Sequence, residues 1–320
     1  MVHRPHLVER LNRGIDQGGK LTLLSAPAGF GKTTLVREWL AQINRSVAWL
    51  ALEQSDTDAT RFLTYVIAAL QTIDAELGRG ALAGLQSAGS SATEPAVTSL
   101  LNDILATAQQ VVLVFDDYHL IESQEIHDVM LFLLDHLPAN LHLVVTSRDD
   151  PPFPLPRLRI RGELTDLRAT DLLFTQEETI QFFRQVMDLD ISQEDAAALD
   201  ARTEGWIAGL QVAGLSMRGR TAEERTQFMR MFTGSHRYLL DFLVEEVLAR
   251  QPAPIQKFLL QTAILDRLSA PLCAAVIETG NPVAGADGEG VAAGTQQILA
   301  YLERANLFVV ALDHGRQWYR

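Results

Sequence analysis

Eight residues, Ala26-Pro27-Ala28-Gly29-Phe30-Gly31-Lys32-Thr33, constrain this chain more than any other feature. They follow the apolar run Leu21-Thr22-Leu23-Leu24-Ser25 and open a stretch with helical periodicity from about Thr33 to Gln42. A turn ending in Gly31-Lys32-Thr33-Thr34 between a strand and a helix fits the P-loop pattern, with Ala26 in place of its first glycine. Gly29 and Gly31 let backbone N–H groups turn toward phosphates. The N-terminus of the helix adds partial positive charge. Lys32 then reaches the β- and γ-phosphates, and Thr33 offers its hydroxyl to Mg²⁺. The competing reading is a strand-to-helix turn that binds nothing. Glycines alone would leave it open, but Gly-Lys-Thr-Thr in this context argues against it.

Further apolar runs follow at Val47–Leu52, Val111–Phe115 and Leu141–Thr146, with a shorter one at Leu164–Leu167. They are nearly continuous rather than alternating, as in strands covered on both faces. Helical stretches between them, such as Asp58–Ile73, supply the long crossovers that parallel strands require. The fold class expected is α/β, a P-loop domain with a parallel sheet. Gly78–Pro95, rich in Gly, Ala and Ser, reads as a loop with some helical content. Pro151–Pro156 reads as a stiff extended segment, and Arg157–Arg161 alternates like a strand.

The third run ends in Asp116-Asp117. Acidic residues at the carboxyl end of a parallel strand sit where ligands bind in open α/β sheets. Asp116 is the natural Mg²⁺ partner, and Asp117 is placed to orient or deprotonate an attacking water. The alternative for both is a turn or helix cap after the strand. The fourth run ends in Thr146-Ser147-Arg148, and its tip lies beside the P-loop strand if the sheet has the inserted order. Arg148 is then placed to contact the γ-phosphate; the alternative is a surface ion pair with Asp149 or Asp150. His119 reads as a structural loop histidine.

From Thr175 onward the pattern turns to helices almost without strands, opening with the capping-box match Thr175-x-x-Glu178. Gly280–Gly294 reads as a second loop, Gln296–Arg304 as a helix and Leu307–Leu312 as a strand. The chain is expected to stop at Trp318-Tyr319-Arg320 inside a supersecondary unit, short of a natural end. A net charge of −13 and the lack of a dense Lys/Arg cluster argue against direct nucleic-acid binding. The single cysteine, Cys273, excludes an internal disulfide and fits a reducing compartment. With no secretory signal and no run long enough to span a membrane, a cytoplasmic protein is expected.

Taken together, Leu23–Leu35, Val114–Ile121, Thr146-Ser147-Arg148 and Thr203–Leu210 (Thr-Glu-Gly-Trp-Ile-Ala-Gly-Leu) resemble the STAND class of signal-transduction ATPases. More narrowly they resemble the MalT-type regulators, the large ATP-binding members of the LuxR group. Gln317-Trp318-Tyr319-Arg320 is similar to the start of that group's winged-helix signature. The resemblance implies three modules: a nucleotide-binding domain over 1–170, a helical domain over 171–233 and a winged-helix domain over 234–320. It implies a slow ATPase switch that rests closed with ADP, exchanges it for ATP when an inducer binds elsewhere, then self-associates. Inducer and DNA are met through further C-terminal domains, and no membrane is involved. ATP/ADP and Mg²⁺ are the implied cofactors.

Carried over by residue, the resemblance implies that Ala28, Gly29, Gly31, Lys32, Thr33 and Thr34 cradle the phosphates and that Thr33 and Asp116 serve the metal. Asp117 and Arg148 act in hydrolysis. Arg4 and Pro5 match a segment lying against the adenine. Gly205 and Trp206 fall where related proteins carry a Gly-x-Pro motif contacting the base, but no proline stands here. The alternative for that pair is a helix–helix packing site. A kinase, a fast ATPase and a nucleotide-binding scaffold are the competing functions.

Overall fold

The computed structural model describes residues 2–88, 93–231, 241, 243–249, 251–265, 267–280, 288–304, 307, 309, 311–313 and 315–319. By internal contacts the chain forms two compact units. One comprises Val2–Ala26 and Gly31–Leu172. The other comprises Leu173 onward together with the short segment Pro27–Phe30.

The first unit is built on a five-stranded sheet: β1 (Leu21–Ser25), β2 (Ser46–Ala51), β3 (Val111–Asp116), β4 (Leu141–Ser147) and β5 (Leu164–Arg168). Every pairing is parallel, in the order β2-β3-β4-β1-β5. Strands β1, β3 and β4 are buried along their whole length, which explains why their sequences do not alternate. The helices are α1 (Pro5–Asp16), α2 (Lys32–Leu40), α3 (Ala59–Gln71), α4 (Arg79–Ala88), α5 (Thr93–Ala106), α6 (Gln124–Asp135), α7 (Leu155–Ile160) and α8 (Ala169–Leu172).

On one face Leu21, Leu23, Leu113, Phe115, Leu143 and Val145 form a single core with Phe62, Val66 and Ile67 of α3, Val97 and Leu100 of α5 and Met130 of α6. Each such side chain contributes about 1.5–3 kcal/mol on burial. Helix α1 packs on β1 and β5. Inserting β4 between β1 and β3 brings the ends of three strands together at the carboxyl edge, in the inserted order expected.

Three local readings change. Arg157–Arg161 is not strand-like: residues 155–160 form α7, which begins at Pro154 with a proline in its first turn and buries Leu155 and Leu158 at helical spacing. Five residues of alternation are too few to separate the two periods, and the odd member, Ile160, lies 88% exposed. Pro151–Pro156 is accordingly not extended throughout. Residues of Gly78–Pro95 are helical over Arg79–Ala88 and again from Thr93, with 89–92 outside the described residues.

The second unit is helical: α9 (Gln176–Phe182), α10 (Gln193–Thr203), α11 (Ile207–Met217), α12 (Ala222–Met231), α13 (Ala253–Thr262), α14 (Ala270–Gly280) and α15 (Gly288–Arg304). The capping box at α9 forms, with Thr175 N donating to Glu178 Oε2 at 2.9 Å and Glu178 N to Thr175 Oγ1 at 3.2 Å. Helix α15 already starts at Gly288, so the loop read over Gly280–Gly294 is helical from there; 281–287 lie outside the described residues. Phe258, Cys273, Leu299, Leu302, Val309 and Tyr319 pack as one core. Around Tyr319 the chain forms antiparallel bridges with Leu268 and Ala311. The strand read over Leu307–Leu312 reduces to the Ala311 bridge, with Phe308 and Val310 outside the described residues. Among the described residues no helix is long and apolar enough to cross a membrane.

One buried polar group ties β1 to β4. His142 is 3% exposed; its Nδ1 lies 2.7 Å from Gly19 O and its Nε2 2.8 Å from Thr22 Oγ1. A carbonyl only accepts, so Nδ1 carries the proton and Nε2 accepts from the threonine. Burial pushes the His142 pKa down to about 4. An unfolded chain binds a proton there near pH 6.5, so stability falls as the pH drops from about 6.5 toward 4, by up to about 3 kcal/mol. Melting temperatures recorded across that range will show this slope, and His142→Asn will flatten it while lowering the plateau.

Candidate functional site

The loop after β1 takes the shape that its glycines allow. Gly29 and Gly31 both adopt left-handed backbone, with φ of 78° and 76°, and Gly31 is the residue from which α2 starts. Ala26 is fully buried, and its N–H donates to Ser147 O at the end of β4, at 3.2 Å. A methyl group at this first position is therefore accommodated.

At the carboxyl edge of the first unit the predicted residues converge. Asp116, 5% exposed, ends β3. Its Oδ1 accepts from Thr33 Oγ1 at 2.9 Å and from Thr146 Oγ1 at 2.5 Å. The Thr146 hydroxyl in turn accepts from the N–H of Asp117 at 3.0 Å. Lys32 is buried, with Nζ donating to Ala26 O at 2.7 Å. Arg148 is half-buried just past β4, and its charge, with those of Asp116, Asp117 and Asp149, acts on Lys32.

Thr146 is the residue that sequence reasoning missed. Strand alignment carries the signal: Val145 pairs with Phe115, so the next residue on β4 stands level with the first carboxylate.

The carboxylates differ. Asp117 has a left-handed backbone, φ 60°, and a side chain 48% exposed, with Oδ1 3.8 Å from His119 Nδ1. The strand ends at Asp116, so alternation does not govern where the next side chain goes. His119 lies in a short 3₁₀ turn, Tyr118–Leu120, and its side chain is largely buried. Asp149, half-buried, accepts from Ser147 Oγ at 3.2 Å, and burial raises its pKa.

Thr33 Oγ1 and Asp116 present hard oxygen donors, the set that Mg²⁺ prefers. Among the described residues no cluster of three or more His, Cys, Asp or Glu could hold a metal alone.

Other candidates are occupied differently. Arg4 is buried at the start of α1, and its Nη1 donates to Leu172 O at 2.8 Å; Pro5 is the exposed first residue of that helix. Thr34 is exposed on α2. In the second unit Gly205 has φ 77°, and a β-carbon there would come within 2.2 Å of Phe174 O. Trp206 precedes α11, and its Nε1 donates to Ala28 O at 3.3 Å.

Burial holds the Lys32 pKa at about 8, with the Arg148 charge adding to the depression and Asp117, Asp116 and Asp149 opposing it. Phosphates brought against the ammonium raise that pKa, so binding takes up a proton above pH 8. Affinity for a phosphate-bearing ligand will therefore fall above pH 8, by up to about tenfold per pH unit. Titration calorimetry in buffers of different ionisation enthalpy will detect the proton, and Lys32→Arg will remove the pH dependence.

Residues 3–146 match the AAA ATPase domain family, and residues 244–320 match the MalT winged helix domain family. The HTH-type transcriptional regulator MalT of Yersinia pestis (strain Pestoides F) is 32% identical over 323 residues, covering 99% of this chain and 33% of the relative. MalT of Klebsiella pneumoniae (strain 342) is 32% identical over 301 residues, covering 94% and 32%. Among solved structures, a STAND protein with a tetratricopeptide repeat sensor from Pyrococcus horikoshii aligns with a TM-score of 0.49 at 16% identity, over 100% of this chain and 40% of that one. The chain spans about a third of the length of the curated relatives it matches. The chain thus carries an AAA ATPase region and a MalT winged-helix region, and along nearly its whole length it is similar to about a third of the length of the MalT-type regulators.

Proposed function

We propose that this chain is the nucleotide-operated switch of a MalT-type regulator, binding ATP and ADP with Mg²⁺ and hydrolysing ATP slowly. The observation that carries the reading is Asp116 Oδ1 accepting from both Thr33 and Thr146 beside the buried Lys32. Lys32 holds the β- and γ-phosphates, Thr33 and Asp116 hold the metal, and Ala28, Gly29, Gly31 and Thr34 complete the cradle. Mg²⁺ supplies charge neutralisation at the phosphates. Asp117, half-exposed just past the strand, orients or deprotonates the attacking water, and Arg148 senses the γ-phosphate. Arg4 and Pro5, at the start of α1, contact the base.

In this reading the chain divides into a nucleotide-binding domain at 1–170, a helical domain at 171–233 and a winged-helix domain at 234–320. ADP holds a closed resting state and ATP drives self-association. Inducer and DNA are engaged by parts of the regulator outside these residues, in keeping with the net charge of −13. The place of action is the cytoplasm.

The test is to denature the purified protein and identify any nucleotide released, with Lys32→Ala as control. Near-stoichiometric ADP, lost in the variant, is expected. An empty site that turns ATP over rapidly would replace the switch with an ordinary ATPase. Asp117→Asn will slow single-turnover hydrolysis by about two orders of magnitude with ADP binding retained. Unchanged hydrolysis would remove Asp117 from the chemistry.

A further inference from the structure

Turning backbone N–H groups inward toward a phosphate turns neighbouring carbonyls outward, and buried carbonyls require donors. At the tip of the loop, Pro27–Phe30, those donors come from one short stretch of the same compact unit. The N–H of Ala208 donates to Gly29 O at 3.1 Å, and Trp206 Nε1 donates to Ala28 O at 3.3 Å. Ala208 is the second residue of α11, so its N–H has no acceptor within the helix. The bond to Gly29 satisfies it. The indole also stands near Phe30, with ring centroids 6.5 Å apart.

Close approach is enforced by small residues. A β-carbon on Gly29 would meet Ala208 Cβ at 2.5 Å and Trp206 Nε1 at 3.1 Å. On its other side Trp206 is packed by Gly209, where a β-carbon would lie 3.0 Å from indole Cε3. Gly205, whose O accepts from Phe174 N at 2.9 Å, fixes the turn that delivers the indole. The run Gly205-Trp206-Ile207-Ala208-Gly209 thus has a physical use at each position but Ile207.

We infer that Trp206 and the backbone N–H of Ala208 are positioning groups that hold the phosphate loop in its receiving shape, so that filling the loop and ordering α11 are thermodynamically coupled. This deepens the nucleotide-switch reading and rests on it. Because coupling is reciprocal, nucleotide must tighten the first turns of α11 as much as that helix tightens nucleotide binding.

The experiment uses the whole 320-residue chain of this sequence, with ADP as the probe. Hydrogen exchange is followed over residues 206–217 with and without ADP, and ADP affinity is measured by calorimetry. ADP is expected to slow exchange in that stretch. Ala208→Pro deletes the donor to Gly29 without removing any bond internal to the helix, and is expected to weaken ADP binding roughly tenfold and abolish the protection. Ile207→Pro, one residue earlier in the same turn, is expected to retain both. Trp206→Phe, which keeps a ring but loses the donor, is expected to fall between. If the wild-type protein binds ADP yet exchange over 206–217 does not change, or Ala208→Pro binds as wild type, the coupling is wrong and the nucleotide reading stands. If the wild-type protein binds no ADP, both fall.

Discussion

Asp116 Oδ1 accepts two hydroxyl protons, one from Thr33 at the start of α2 and one from Thr146 at the end of β4. That oxygen therefore joins the ends of three elements that are far apart in sequence. The arrangement requires the sheet order. With β4 between β1 and β3, the tips of β3 and β4 and the first turn of α2 face the same edge. Hydrogen bonds to a carboxylate are among the stronger ones available to a protein. Thr146 also receives the N–H of Asp117, so a single hydroxyl sets the position of one carboxylate and the backbone of the next.

The electrostatics follow from the same edge. Lys32 is buried, which alone disfavours its charge, while three carboxylates and one guanidinium act on it from the strand ends. The outcome is an ammonium whose pKa falls to about 8, still charged at neutral pH and held by Ala26 O. Ordered this way, the lysine does not have to be collected from solvent when an anion arrives, which lowers the conformational cost of binding.

Much of this was legible beforehand because the signals were local. Lys32 and Thr33 open the helix that follows β1, Asp116 and Arg148 lie at the ends of β3 and β4, and full burial of β1, β3 and β4 is why their runs are continuously apolar. The features missed are those set by distance in sequence. Thr146 contributes through register with β3, and a threonine closing a strand carries no mark of its own. Ala208 contributes through a backbone N–H, to which the side chain gives no clue. Helix α7 was misread because Arg157–Arg161 is too short to reveal its period, and its true signals were the prolines before it and the Leu155–Leu158 spacing.

Gly205 and Trp206 show how the place of a motif in the chain can leave its use open. Contact with a base and a helix–helix packing site are the two readings the sequence offers. The structure adds an interaction that neither reading contained, an indole N–H donated to the loop carbonyl of Ala28. Glycine at 29 then answers two demands at once. Its φ of 78° requires the left-handed region, and its α-carbon approaches Ala208 too closely for any side chain. A P-loop glycine is usually explained by the phosphate alone; here the approach of Ala208 and Trp206 constrains it as well.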